Sequence, residues 1–151
     1  MSSPTRLLGI LILLVAAYGV ALPAVPLAIR ALAPPVRDFT VTQATRLPDG
    51  RVRLTARMEK RGCVFAALRF TWHGSGGEVW RVGYATDDQP DGTDTDRPKG
   101  RQTLGPWLIA APPSEDATTL RIAVRHRCGP FAVVTPLATL GTDAFNPPAS
   151  R

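Results

Sequence analysis

The sequence predicts a mainly β protein, an N-terminal transmembrane helix followed by a single antiparallel β-sandwich of about seven strands. Two observations carry this. The 23 residues from Leu7 to Ile29 are uncharged and apolar, and after Pro35 apolar residues recur at every second position between turn signals, with no helical period anywhere in the domain.

As a helix, Leu7 to Ile29 is about 35 Å long against a hydrocarbon layer of about 30 Å. Arg6 and Arg30 bracket it, and Pro23 and Pro26 fall in its last third. Residues 1–33 are therefore expected to be a membrane anchor or uncleaved signal. The rival is a cleaved signal peptide, for which Ala17, Gly19 and Ala21 offer small residues at the cleavage site. Arg30, Arg37 and Arg46 follow the span while only Arg6 precedes it, which by the positive-inside rule favours a cytoplasmic domain. The cysteine pair and the short leader favour the opposite side, and the expectation is a single-pass protein of the bacterial inner membrane with its domain in the periplasm.

Once the anchor is set aside, 151 residues leave room for one domain. It is expected over 38–142, with 143–151 as a flexible tail. Net charge is +6, and every basic residue except Lys60 and Lys99 is arginine. Arginine, alanine and proline richness of this kind follows from genome base composition, so no nucleic-acid partner is expected, and no cofactor.

Phe39 and Val41 open the first strand, and Leu47-Pro48-Asp49-Gly50 is a turn. Val52, Leu54, Ala56 and Met58 then face one way and Arg51, Arg53, Thr55, Arg57 and Glu59 the other. Val64, Ala66, Leu68, Phe70 and Trp72 repeat the alternation, and His73-Gly74-Ser75-Gly76-Gly77 turns the chain into a partner strand near Glu78 to Ala85. The stretch from Asp87 to Gln102 is polar and aperiodic, with Asp87, Asp88, Asp91, Asp94 and Asp96, and reads as a long loop. Strands return at Trp107 to Ala111, at Thr119 to Cys128, where Leu120, Ile122, Val124 and His126 form the apolar row, and near Phe131 to Leu140.

Cys63, Trp72 and Cys128 stand in a Cys, Trp, Cys order with separations like those of the immunoglobulin fold, so the sandwich is expected to be immunoglobulin-like. The tyrosine corner is missing, since His126 stands two before Cys128. Cys63 and Cys128 are expected to form a disulfide closing 65 positions, worth about 4 kcal/mol by loop entropy.

Arg51, Arg53, Arg57 and Arg61 on one strand and Arg121, Arg125 and Arg127 on another form a candidate basic binding face if the strands are neighbours. Trp107 and Phe131, beside turns, are candidate contact aromatics, although core positions are the commoner place for such residues. His73, His126, Cys63 and Cys128 are the one set that could ligate a metal, without the CxxC or HxxxH spacing of known sites, so no metal is expected. The aspartate-rich loop lacks the order of a calcium loop, and His73 to Gly77 lacks the Gly-x-Ser-x-Gly frame of a hydrolase elbow.

Arg97-Pro98-Lys99-Gly100-Arg101-Gln102, Gly105-Pro106-Trp107 and Arg125-His126-Arg127-Cys128-Gly129-Pro130 together resemble small, functionally unassigned single-span proteins of bacteria and tailed phages. The resemblance covers the C-terminal half best and implies no activity. The expectation is a non-enzymatic accessory or interaction protein, its partners the lipid bilayer and a protein or anionic envelope component. The alternatives are a phage- or prophage-encoded envelope protein, acting in lysis or superinfection exclusion, and a periplasmic metal-handling or redox protein.

Overall fold

A computed structural model describes residues 4–86 and 98–145 of the chain. The expected aspartate-rich stretch 87–97 and the tail residues 146–151 lie outside the described residues. Helix α1 (Pro4–Leu32) is followed by β1 (Val36–Arg46), β2 (Val52–Lys60), β3 (Val64–Gly74), β4 (Val79–Val82), β5 (Tyr84–Thr86), β6 (Gly100–Ile109), β7 (Ala117–Cys128) and β8 (Phe131–Gly141), with a 3₁₀ turn over Thr142–Phe145.

Leu8–Leu32 of α1 is long and apolar enough to cross a membrane, and its leucines are exposed on all sides. A helix that is apolar all round and exposed from Leu8 to Ala24 suits a lipid environment rather than a water-facing one. Pro23 and Pro26 lie inside the helix without ending it. Val25, Pro26 and Ile29 are half-buried, and the helix touches β8.

The eight strands form two four-stranded antiparallel sheets, a first in the order β1-β2-β6-β5 and a second in the order β4-β3-β7-β8. In immunoglobulin lettering these orders correspond to A-B-E-D and C′-C-F-G, an agreement of connectivity only. The Cys63–Cys128 disulfide forms as expected, but it differs from the bridge of that fold. It joins neighbouring strands of one sheet, beside the Val64–Arg127 pair, instead of crossing between sheets. Trp72 lies toward the other end of β3, opposite Leu120, and is not packed on the disulfide.

The inner faces of both sheets meet in one apolar core. Phe70 packs edge-on against Trp107 at 5.6 Å and Tyr84 at 5.1 Å, and Trp72 packs against Phe145 at 5.8 Å. The Trp72 indole N–H donates to the Ala110 carbonyl at 3.2 Å, so the largest core side chain leaves no polar group unsatisfied. Phe145 is 1% exposed. The first strand begins at Val36, and Phe145, three residues past the expected boundary of 142, closes the core.

Bulges account for the other departures. In β3 the register with β7 shifts between Phe65 and Ala67, so Phe65 points inward while Val64 is 42% exposed. Strict alternation placed Val64 and Ala66 in the core, and one extra residue reverses the face. In β6 two residues, Gly105 and Pro106, oppose the single Thr55 of β2, which lets Leu104 and Trp107 both point inward. The expected partner strand after the glycine turn is split, β4 pairing with β3 and β5 crossing to β6, and β6 begins at Gly100 rather than near Trp107.

Gly105 makes the β6 bulge possible. Its φ is +89°, and a Cβ there would lie 2.6 Å from the Leu54 carbonyl oxygen and 2.9 Å from the Trp107 nitrogen. Gly105→Ala is expected to destabilise the protein by about 2–4 kcal/mol, combining a left-handed conformation with a backbone clash. Gly83→Ala, which meets nothing within 4 Å, is expected to change stability by less than about 0.5 kcal/mol. Urea unfolding of the two variants checks the contrast.

Candidate functional site

The expected single basic face does not form. Arg51, Arg53, Arg57 and Arg61 belong to the first sheet or its flanks, while Arg121, Arg125 and Arg127 belong to the second, so the two sets lie on opposite outer faces of the sandwich. The two faces differ in chemistry.

The outer face of the first sheet is mixed in charge. Asp49 pairs with Arg51 at 2.7 Å, and Arg51 holds the Asp49 carboxyl below its ordinary range. Glu59 pairs with Arg61 at 3.1 Å. An open groove of about 670 Å³ runs over this face, lined in part by Asp38, Thr40, Arg57, Glu59, Arg101 and Thr103. With both signs of charge and no convergent buried polar group, it has little to select a ligand by.

The outer face of the second sheet carries one sign only. β3, β4, β7 and β8 contain no aspartate or glutamate, and their outward row holds Arg69, Arg81, Arg121, Arg125 and Arg127, all exposed. The ladder pairs interleave them with small residues: Arg121 with Thr71, Arg125 with Ala67 and Val134, Arg69 with Ala123, Arg127 with Ala132. Arg81 lies across Thr71 from Arg121. The guanidinium groups thus stand over a low floor of alanine, threonine and valine, and among the described residues none of the five is in an ion pair.

His73 reports the field of this face. It sits at the edge of the row, opposite Thr119, with Nε2 3.1 Å from the Thr71 hydroxyl. Partial burial is the larger cause that lowers its pKa, and the positive charge of Arg121 is the second. Arg69 and Arg81 were missed in the sequence reading. Arg69 was available there, since it alternates with Leu68 and Phe70.

Trp107 is a core residue, 2% exposed and packed on Phe70, which is the commoner of the two roles open to it and not the contact one. Phe131 stays half-exposed at the start of β8, opposite Cys128. The four candidate metal ligands are dispersed. Cys63 and Cys128 are bonded to each other, His73 points outward, and His126 points into the core, so no group of three metal-ligating side chains converges among the described residues.

His126 is an unusual core residue at 0% exposure, edge-on to Phe65 at 6.0 Å, with neither ring nitrogen hydrogen-bonded. Burial, and secondarily the positive charge of nearby Lys60, which is itself 5% exposed, lowers its pKa from 6.5 to about 4. The folded state resists a proton that the unfolded chain accepts at 6.5, so stability is full above that pH and falls as the pH drops toward 4. The expected loss from this group is about 3 kcal/mol. Chemical denaturation at pH 7.5, 5.5 and 4 should show that fall in the native protein and a smaller one in His126→Leu.

The arginine face makes a second prediction. Like charges held together on one sheet destabilise it by mutual repulsion. Arg121→Gln with Arg125→Gln is expected to raise stability by a few tenths of a kcal/mol, about the size of exposed charge effects. The gain should vanish in about 1 M salt, where the Debye length is about 3 Å. Melting curves at low and high salt read this directly. Compared with known proteins, the chain matches no protein-family model, no curated protein and no solved structure.

Proposed function

We propose that this is a non-enzymatic, membrane-anchored binding protein, whose β-sandwich engages an anionic partner through the outer face of the second sheet. The observation that carries the reading is the row of five arginines over small residues, in no ion pair among the described residues, on strands without a single carboxylate. Repulsion makes such a face a liability for folding, and an anionic partner removes the repulsion.

Arginine suits the task. Its planar fork donates two parallel hydrogen bonds to a carboxylate or phosphate and holds its charge at any physiological pH. A few charge-assisted contacts of about 1.5–3 kcal/mol each give modest affinity in free solution. Attachment to the bilayer raises the effective concentration toward anything else confined there, so modest contacts suffice. A protein with an acidic surface or an anionic envelope polymer fits this chemistry. The disulfide favours an oxidising compartment, and with the apolar helix it supports a single-span inner-membrane protein with its domain in the periplasm.

The non-enzymatic reading rests on arrangement. The Thr71 hydroxyl lies 3.1 Å from His73 Nε2 on the open outer face, but the strands of that sheet carry no carboxylate to orient the imidazole, and among the described residues no third group completes a catalytic set there.

A photo-reactive residue in place of Ala123, at the centre of the arginine face, tests this in intact cells. A discrete crosslinked species is expected from position 123, weakened by Arg69→Glu with Arg121→Glu, and none from position 55 on the opposite face. Crosslinks from position 55 alone, or from neither, overturn the proposal.

A further inference from the structure

Charge is also sorted along the length of the sandwich. At the end where α1 joins β1, the exposed cations among the described residues are Arg37, Arg61, Lys99, Arg101 and Arg127, against the described carboxylates Asp38 and Glu59. At the far end the described residues show the reverse, with Asp49, Glu78, Glu115, Asp116 and Asp143 against Arg46, Arg51 and Arg53. Strands of this length separate the two ends by about 30 Å.

The basic end is the tethered end. Only Ala33, Pro34 and Pro35 separate the helix from β1, a span of at most about 10 Å. Pro35 is buried, and its carbonyl accepts hydrogen bonds from the backbone N–H groups of Arg61 at 2.9 Å and Gly62 at 3.5 Å. The rim is therefore fixed to the point where the chain leaves the helix. The same rim exposes Val64, Pro130 and part of Phe131, apolar groups that can enter a headgroup layer.

We infer that this rim docks on anionic lipid headgroups, so that the sandwich stands upright on the bilayer with its acidic end outward. The inference rests on the reading of α1 as a membrane span, and its surface is distinct from the arginine face except for Arg127. Charge complementarity selects the occupant. A tether of about 10 Å keeps the rim within roughly one Debye length of the lipid phosphates, where each arginine or lysine contributes attraction.

The test uses the full chain in lipid vesicles, with a fluorescent residue replacing Pro130 and, separately, Ser75 at the far end, and a quencher on the lipid headgroup. In vesicles containing phosphatidylglycerol, quenching at position 130 is expected to exceed that in pure phosphatidylcholine several-fold. It should return to the neutral-lipid level in about 1 M salt or with Arg61→Glu and Lys99→Glu, while position 75 stays unquenched throughout. Flotation of the same samples separates the two readings. A chain that floats with both vesicle types but shows equal quenching in them overturns the docking alone. Weak quenching in anionic vesicles overturns it too. A chain that floats with neither overturns the membrane span and the docking together.

Discussion

The mutual burial of two apolar sheet faces around Phe70, Trp72 and Trp107 is the constraint on which the remaining structure depends. Each sheet hides one face only because the other covers it. Both outer faces are thereby released from any packing duty. A row of arginines that adds nothing to folding is tolerable only over a floor that the other side holds firmly in place. Trp72, with its indole N–H satisfied by Ala110, and Phe145, folded back from beyond the last strand, complete that floor.

Much of this was legible in the residues themselves. β2 could be read almost to the residue, because Val52, Leu54, Ala56 and Met58 keep strict period, and so could β7 from Leu120 to His126. The disulfide followed from there being only two cysteines. Strands interrupted by bulges misled, since one inserted residue reverses every side chain beyond it. That is why Val64 was taken for core.

The candidate site was half legible. Which arginines point outward follows from period alone, but which strands are neighbours is a long-range property that alternation does not encode. Arg53 and Arg57 therefore joined Arg121 and Arg125 on paper although a whole core lies between them. His126 illustrates the converse. Its place in the apolar row was plain, and read that way it is a core residue, while the cost of burying an imidazole without partners emerges only with Lys60 and Phe65 around it.

The strand edges carry a consequence of their own. An open sandwich has unpaired backbone at both borders of each sheet, and those borders are where β proteins join one another into insoluble aggregates. Here β4 and β5 are only four and three residues long. The long border strands are interrupted instead, β1 by two register shifts and β8 by Pro136 and by the helix resting against it. Proteins confined to a membrane plane collide often and in similar orientations, the circumstance most favourable to edge-to-edge zipping. Blunted borders disfavour such pairing between neighbouring copies wherever they are held close together.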